Sequence, residues 1–217
     1  MKTILFCQNN YAFGILEPVK RVLIEKDYPF LWFITTKLED HFPFKSDNYT
    51  TNIADLETFK SDAIFVPGNE VPYYLRGLKV QVFHGLAGEK KGHFRIRNYF
   101  DLYLTQGPYF TNKFNKLKTN SSNFDVIETG WPKLDIYGTD KTSYASEKDK
   151  LLNKHKANTI LLYAPTFSPK LSSAPFLVEP LKELAQNPDY LILVKFHPLM
   201  SLEWIEMYNE LAKRHSN

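Results

Sequence analysis

A chain of 217 residues, 43% hydrophobic and 15% aromatic, carries enough apolar material for one large core or two small ones, which excludes a disordered polymer. A formal net charge of +3 falls far short of a dedicated nucleic-acid binder and suits an anionic small ligand or a weak contact with an acidic membrane surface. One cysteine, Cys7, excludes an internal disulfide and fits a reducing compartment.

The chain opens MKTILFCQNN, whose apolar run is too short for a signal peptide and has no small-residue cleavage site after it. No later run approaches the ~18 apolar residues of a membrane-spanning helix. The expectation is a cytoplasmic protein able to sit peripherally at the cytoplasmic membrane face. The first predicted strand is Thr3–Cys7, with Cys7 read as a small buried hydrophobe. A helix over Glu17–Asp27 follows, with Pro18 in its first turn and Val19, Val22 and Leu23 on one face. Strands come next at Phe30–Ile34, Ala63–Val66, Val80–Phe83, Leu102–Thr105 and Val126–Glu128. Runs such as ILF, LWFI and AIFV lack polar alternation, the pattern of parallel strands covered on both faces by helices.

Residues 138–157 are charged, lysine-rich and poor in bulky apolar groups, so they read as a surface linker with a short helix over Ser146–His155. The rhythm then restarts with a strand at Thr159–Tyr163, a helix over Phe176–Gln186, a strand at Tyr190–Val194 and a helix over Ser201–Lys213. Ser201 is the candidate N-cap of the last helix, and Glu203 is acidic in its first turn. Strands alternating with helices predict an α/β fold. Residues 1–137 read as one complete N-terminal α/β domain of doubly wound type, 138–157 as a linker, and 158–217 as the beginning of a second, incomplete domain.

In open α/β sheets, ligands bind outside the carboxyl ends of the strands. Those ends here are Gln8-Asn9-Asn10, Pro67-Gly68-Asn69-Glu70, His84-Gly85, Gln106-Gly107, Thr129-Gly130-Trp131-Pro132, Ala164-Pro165-Thr166 and His197-Pro198. Two of them place a histidine immediately past an apolar run. For His84, a strand-capping role bonded to a neighbouring carbonyl is the plain alternative. Against it, Gly85 and Gly88 allow backbone to approach a ligand closely, and Lys90 and Lys91 supply compact positive charge suited to phosphate. The basic run continues through His93, Arg95 and Arg97, with Glu89 its one acid, and a solvated basic face accounts for part of it. Pro198 biases His197 toward an extended conformation at the strand tip, and Lys195 shares its strand face. Tyr99, Phe100, Tyr109 and Phe110 read as core. No Cys/His cluster has metal-ligand spacing, so no metal site is expected.

Taken in order, QVFHGLAGEKKG, YFDLYLTQGPYFTNKF, ETGWPKLD, LLYAPTFSP and VKFHPL resemble the CDP-glycerol glycerophosphotransferases, which prime or polymerise the glycerol phosphate of teichoic acids and related surface polymers. Residues 1–75 fit this family only as a generic first α/β half. The resemblance implies a GT-B architecture, two Rossmann-like domains with the active site in the cleft between them, the first on the acceptor side and the second holding the nucleotide donor. It implies transfer of glycerol phosphate from CDP-glycerol to a hydroxyl of a surface-polymer or lipid-linked acceptor, with release of CMP. It calls for no cofactor beyond the donor substrate, with room for a divalent ion carried by the nucleotide, and for peripheral membrane contact but no nucleic acid. His84 and His197 become the catalytic pair, His84 as general base and His197 on the donor pyrophosphate. Gly85, Lys90, Lys91, Thr129, Gly130, Lys133, Asp135, Pro165, Thr166 and Lys195 become substrate-binding.

The chemistry asks for such groups: an attacking alcohol needs a proton acceptor near neutral pH, and departing CMP needs cations and N–H donors. Two departures stand out. Leu86-Ala87-Gly88-Glu89-Lys90 replaces the family's Thr-Pro-Leu-Lys-like continuation, which leaves the acceptor open. The family's later aspartate and paired-serine segment does not occur, and Ser121-Ser122 and Ser172-Ser173 do not match it. A C-terminally truncated member is therefore expected. Two alternatives stay open: a non-catalytic relative that binds an anionic polymer, and a nucleotide-sugar glycosyltransferase or epimerase of the same architecture.

Overall fold

Strand β1 (Thr3–Cys7) is buried along its whole length. Its alternate side chains build two cores: Leu5 and Cys7 join one apolar cluster, Ile4 and Phe6 the other. In β2 (Phe30–Ile34), Trp32 and Ile34 go to the first cluster and Phe33 to the second. Helices therefore cover both faces, as the unbroken apolar runs require. The computed structural model describes residues 1–86, 88, 92–119, 122–138 and 144–215, so Lys90 and Lys91 lie outside the described residues. The chain divides into two compact units, Met1–Thr139 and Asp140–Asn217.

The first unit adds β3 (Tyr49–Thr50), β4 (Ala63–Val66), β5 (Leu78–Gln81), β6 (Leu102–Thr105) and β7 (Asp125–Glu128). The seven strands are parallel and ordered β3-β2-β1-β4-β5-β6-β7. Chain direction across the sheet reverses between β1 and β4, the topological switch point at which such sheets hold ligands. Its helices are α1 (Phe13–Glu25), α2 (Ile53–Phe59) and α3 (Pro108–Leu117).

Helix α1 begins four residues before the sequence suggests, so Pro18 lies inside it rather than in its first turn. An internal proline costs about 3 kcal/mol or more. The offset comes from packing: Phe13, Ile15, Leu16 and Pro18 are all buried. Phe13 meets Trp32 at 6.2 Å, Phe42 at 5.6 Å and Phe44 at 6.3 Å between ring centroids. Strand β5 also shifts, ending at Gln81 rather than Phe83, because Phe83 takes a left-handed conformation with φ of 58°.

Burial pushes the Cys7 thiol well above its usual range, since the apolar surroundings disfavour the thiolate. Because the nucleophile is the thiolate, alkylation by iodoacetamide at pH 8.5 should be slower in the native chain than in urea by on the order of 100-fold. Equal rates would show that β1 opens readily.

The second unit comprises α4 (Ala145–His155), β8 (Thr159–Tyr163), α5 (Val178–Leu184), β9 (Tyr190–Val194) and α6 (Leu202–Arg214). The two strands pair in parallel from Thr159↔Tyr190 to Tyr163↔Val194. Leu181 of α5 and Tyr208 of α6 pack with Tyr163, Ile192 and Val194 on one face, while Leu162 remains 64% exposed. The Tyr208 hydroxyl donates to the Ala174 carbonyl at 2.9 Å, and burial raises its pKa. Ser201 precedes α6 as the sequence suggests, but its side chain makes no capping bond. Among the described residues no helix is long and apolar enough to cross a membrane.

Candidate active site

His84 sits on the carboxyl side of β5, where the left-handed Phe83 turns the chain off the sheet. A non-glycine residue in that region costs roughly 1–2 kcal/mol. The cost is held by packing: Phe83 is 4% exposed and its ring meets Phe114 at 5.3 Å, His93 at 5.5 Å and Tyr103 at 6.2 Å. Phe83 is thus anchored in the core while His84 is exposed to solvent. Such local strain marks a segment whose direction matters.

The hydrogen bonds select the tautomer of this imidazole. His84 Nδ1 lies 2.9 Å from the Pro67 carbonyl oxygen. A carbonyl only accepts, so Nδ1 carries a proton, and the tautomer this selects for the neutral ring leaves its lone pair on Nε2. The ring also stacks on Tyr11 at 5.1 Å and 28°. Asn9 Nδ2 donates to the Tyr11 hydroxyl at 3.3 Å, and Lys37 Nζ donates to Asn9 Oδ1 at 3.4 Å. His84 is therefore oriented both by the strand end of β4 and by the loop after β1.

The neighbouring strand ends are tied into the same edge. Gln81 Nε2 donates to the Gly68 carbonyl at 2.8 Å, and Gln106 Nε2 donates to the Gly85 carbonyl at 2.9 Å. Gln106 Oε1 is buried without a hydrogen-bond partner. A methyl group on Gly88 would stand 2.6 Å from Tyr109 Cε1, so at Gly88 the chain passes directly against the Tyr109 ring of α3.

Two basic residues of this segment are engaged within the protein. His93 lies among rings, 5.1 Å from both Phe94 and Phe110. Arg97 folds back to donate to the Arg95 and Gly92 carbonyls. Thr129 and Gly130 follow β7, and both their amides donate to the Thr105 carbonyl, at 3.1 and 3.2 Å. Lys133 lies over the Trp131 ring at 5.6 Å. Asp135 lines a surface depression with Pro18, Arg21, Val22 and Glu25 of α1, along the flank of that helix.

In the second unit, Thr166 and His197 follow the adjacent strands β8 and β9 and are both exposed, whereas Pro165 is buried. The Lys195 amide donates to the Tyr163 carbonyl at 2.9 Å, and its side chain is exposed. The Leu199 amide donates to His197 Nδ1 at 3.0 Å. That bond leaves Nδ1 unprotonated, so the neutral ring presents Nε2–H outward, the reverse of His84. The ring lies 4.3 Å from that of Phe167.

The structure brings His84, Gly85, Thr129 and Gly130 to one sheet edge, and Thr166, Lys195 and His197 to the strand ends of the other unit. Lys133 and Asp135 stand apart, beyond the β7 turn. Asn9 and Gln106 sit at strand ends, the signal that pointed to the rest. Tyr11, Lys37 and Phe167 carry no such signal in the sequence. Among the described residues no cluster of His, Cys, Asp or Glu suits a metal ion.

The family model described as CDP-glycerol:poly(glycerophosphate) glycerophosphotransferase matches residues 77–214. No curated protein matches the chain in sequence. Among solved structures, the chain is similar to UDP-GlcNAc 2-epimerase from Neisseria meningitidis bound to UDP-GlcNAc, with a TM-score of 0.67 and 14% identity, covering 99% of this chain and 70% of that one. UDP-GlcNAc 2-epimerase from Methanocaldococcus jannaschii gives 0.65 at 12% identity, covering 98% and 70%. MnaA of S. aureus, in a co-structure with UDP, gives 0.71 at 14% identity, covering 99% and 67%. At these identities the likeness establishes the fold alone, which is α/β and GT-B-like.

Proposed function

Because the chain belongs to the CDP-glycerol:poly(glycerophosphate) glycerophosphotransferase family, we propose that it transfers glycerol phosphate from CDP-glycerol to a hydroxyl of a surface-polymer or lipid-linked acceptor, releasing CMP. The observation that carries this reading is the opposed hydrogen-bonding of the two histidines. One offers a lone pair and the other an N–H, the two things phosphoryl transfer to an alcohol needs.

In this reading Nε2 of His84 takes the proton of the acceptor hydroxyl as its oxygen bonds the glycerol-bearing phosphorus. The bond from that phosphorus to the bridging oxygen breaks, and CMP leaves with the electron pair. Nε2–H of His197, with Lys195 and Thr166 beside it, donates to pyrophosphate oxygens on which that charge accumulates. Gly85, Thr129 and Gly130 meet the acceptor at the acceptor-side edge, and Lys90 and Lys91 bring positive charge to it. Lys133, Asp135 and Pro165 act by fixing the turns that carry these groups. The first unit is then the acceptor side and the second the donor side. The product is a teichoic-acid-type polymer of the cell envelope, made at the cytoplasmic face of the membrane with the chain held peripherally.

The test is CMP release from CDP-glycerol by the full chain, with UDP-GlcNAc assayed in parallel. The expected result is CMP formation that falls by roughly 100-fold in kcat/KM for His197→Ala, as for loss of one charge-stabilising donor. His197→Asn, which keeps a side-chain N–H, should recover part of it. Turnover of UDP-GlcNAc without CMP release from CDP-glycerol would overturn the reading.

A further inference from the structure

Beyond the turn at Phe83 the chain comes back to that residue. The His93 ring lies nearly flat on the Phe83 ring, with 5.5 Å between centroids and 13° between planes. Phe114 and Tyr103 meet the same ring at steeper angles, 50° and 34°. Those two stack on each other at 4.7 Å and belong to α3 and β6, so they stay with the sheet. His93 instead comes from the segment between β5 and β6. It is half-buried, and it is held in turn by Phe94 and by Phe110 of α3, both at 5.1 Å.

We propose that His93 is a positioning residue for His84, clamping Phe83 in the left-handed conformation that aims the imidazole. Its effect on turnover rests on the transferase reading above; its effect on the imidazole does not. The φ of 58° at Phe83 lies in a region that an L side chain leaves when its packing allows. Any rotation about the backbone bonds of Phe83 moves its ring relative to His84. While the ring is clamped, His84 is fixed where its Nδ1 meets the Pro67 carbonyl at 2.9 Å. Phe114 and Tyr103 touch the ring at a slant, and only His93 among these three lies nearly parallel to it. Removing His93 opens that face, the turn relaxes, and the bond that selects the His84 tautomer is lost. What the clamp requires is a flat ring. Phenylalanine would serve in its place, and alanine would not.

The experiment reads the His84 tautomer in the full chain by long-range ¹H–¹⁵N correlation of the histidine side chains. It is run at about pH 8, where an ordinary imidazole is neutral, and His84→Asn identifies the signal. The native chain should show Nδ1–H and an unprotonated Nε2. In His93→Ala the signal should shift to the tautomer mixture of a solvent-exposed imidazole, and His93→Phe should restore it. Phe124→Leu is the control for general softening: Phe124 packs on Tyr103 at 5.1 Å in the same aromatic cluster. It should lower the urea midpoint and leave the tautomer unchanged. Where CDP-glycerol is turned over, kcat should fall roughly 10- to 100-fold in His93→Ala with the donor KM unchanged, as for a displaced catalytic group, and recover in His93→Phe. If His93→Ala does not fold, His93→Leu, which fills the space without a flat ring, takes its place. A native tautomer in the variant lacking the ring overturns the proposal. So does a loss in Phe124→Leu as complete as in that variant, or a failure of His93→Phe to restore the signal. If CDP-glycerol gives no CMP, the transferase reading falls while the tautomer still decides His93. If CMP forms and the tautomer is indifferent to His93, the positioning role alone falls.

Discussion

Replacing His84 by alanine should lower CMP release from CDP-glycerol by roughly 10²–10⁴-fold, the range for removal of a general base. The side chain is exposed, so unfolding free energy should move by only about 0.5 kcal/mol. His84→Asn sharpens the result. Its amide can still donate to the Pro67 carbonyl, yet it offers no basic nitrogen to the acceptor. Equal loss in both variants assigns the effect to the Nε2 lone pair. Wild-type turnover in His84→Ala would place the base elsewhere. Recovery in His84→Asn would make the contact with Pro67, rather than proton transfer, the function of the residue.

The largest effect on stability belongs to Trp32. It is fully buried, stacked on Phe44 at 5.1 Å and edge-on to Phe42 at 5.8 Å. Its Nε1 donates to Asp47 at 3.0 Å, and Asp47 also pairs with Lys20 at 3.2 Å. Trp32→Ala leaves a cavity under α1 and strips Asp47 of one donor. Large-to-small changes of this kind cost about 3–5 kcal/mol. Urea unfolding followed by circular dichroism measures the change. Trp32→Phe should retain most of the packing and lose chiefly the bond to Asp47, and a loss under about 1 kcal/mol for Trp32→Ala would mean the aromatic cluster relaxes to fill the gap.

The strands were legible because a fully buried parallel strand has little choice of composition, and TILFC, FLWFI and AIFV could serve few other purposes. Two elements were not. β3 spans two residues and α2 seven, too short for periodicity to register. The end of β5 was misplaced by two residues because Val82 and Phe83 are as apolar as the strand itself; the left-handed turn at Phe83 depends on rings from α3 and β6 that no local pattern announces. The site followed the same division. Strand tips pointed to His84 and His197, since tips are a property of the chain. The proton on each ring was not legible, because it is set by a carbonyl at Pro67 in one case and an amide at Leu199 in the other. Tyr11 belongs to the part of the chain that offered only a generic α/β pattern, and its stacking on His84 exists only once the sheet has closed.

The placement of β1 also governs how the chain must fold. Although first in sequence, β1 lies inside the sheet, with β2 on one side and β4 on the other. Thr3 pairs with both Phe30 and Ala63, so the central ladder forms only after long loops have closed. Such non-local pairing is slow, because closure entropy must be overcome before contacts compensate it. A partly folded species holding only β5, β6 and β7 would possess His84 but neither the Pro67 carbonyl nor the Tyr11 ring. Imidazole orientation should therefore appear in the last kinetic phase of refolding, and recovery of activity should lag behind recovery of helical signal.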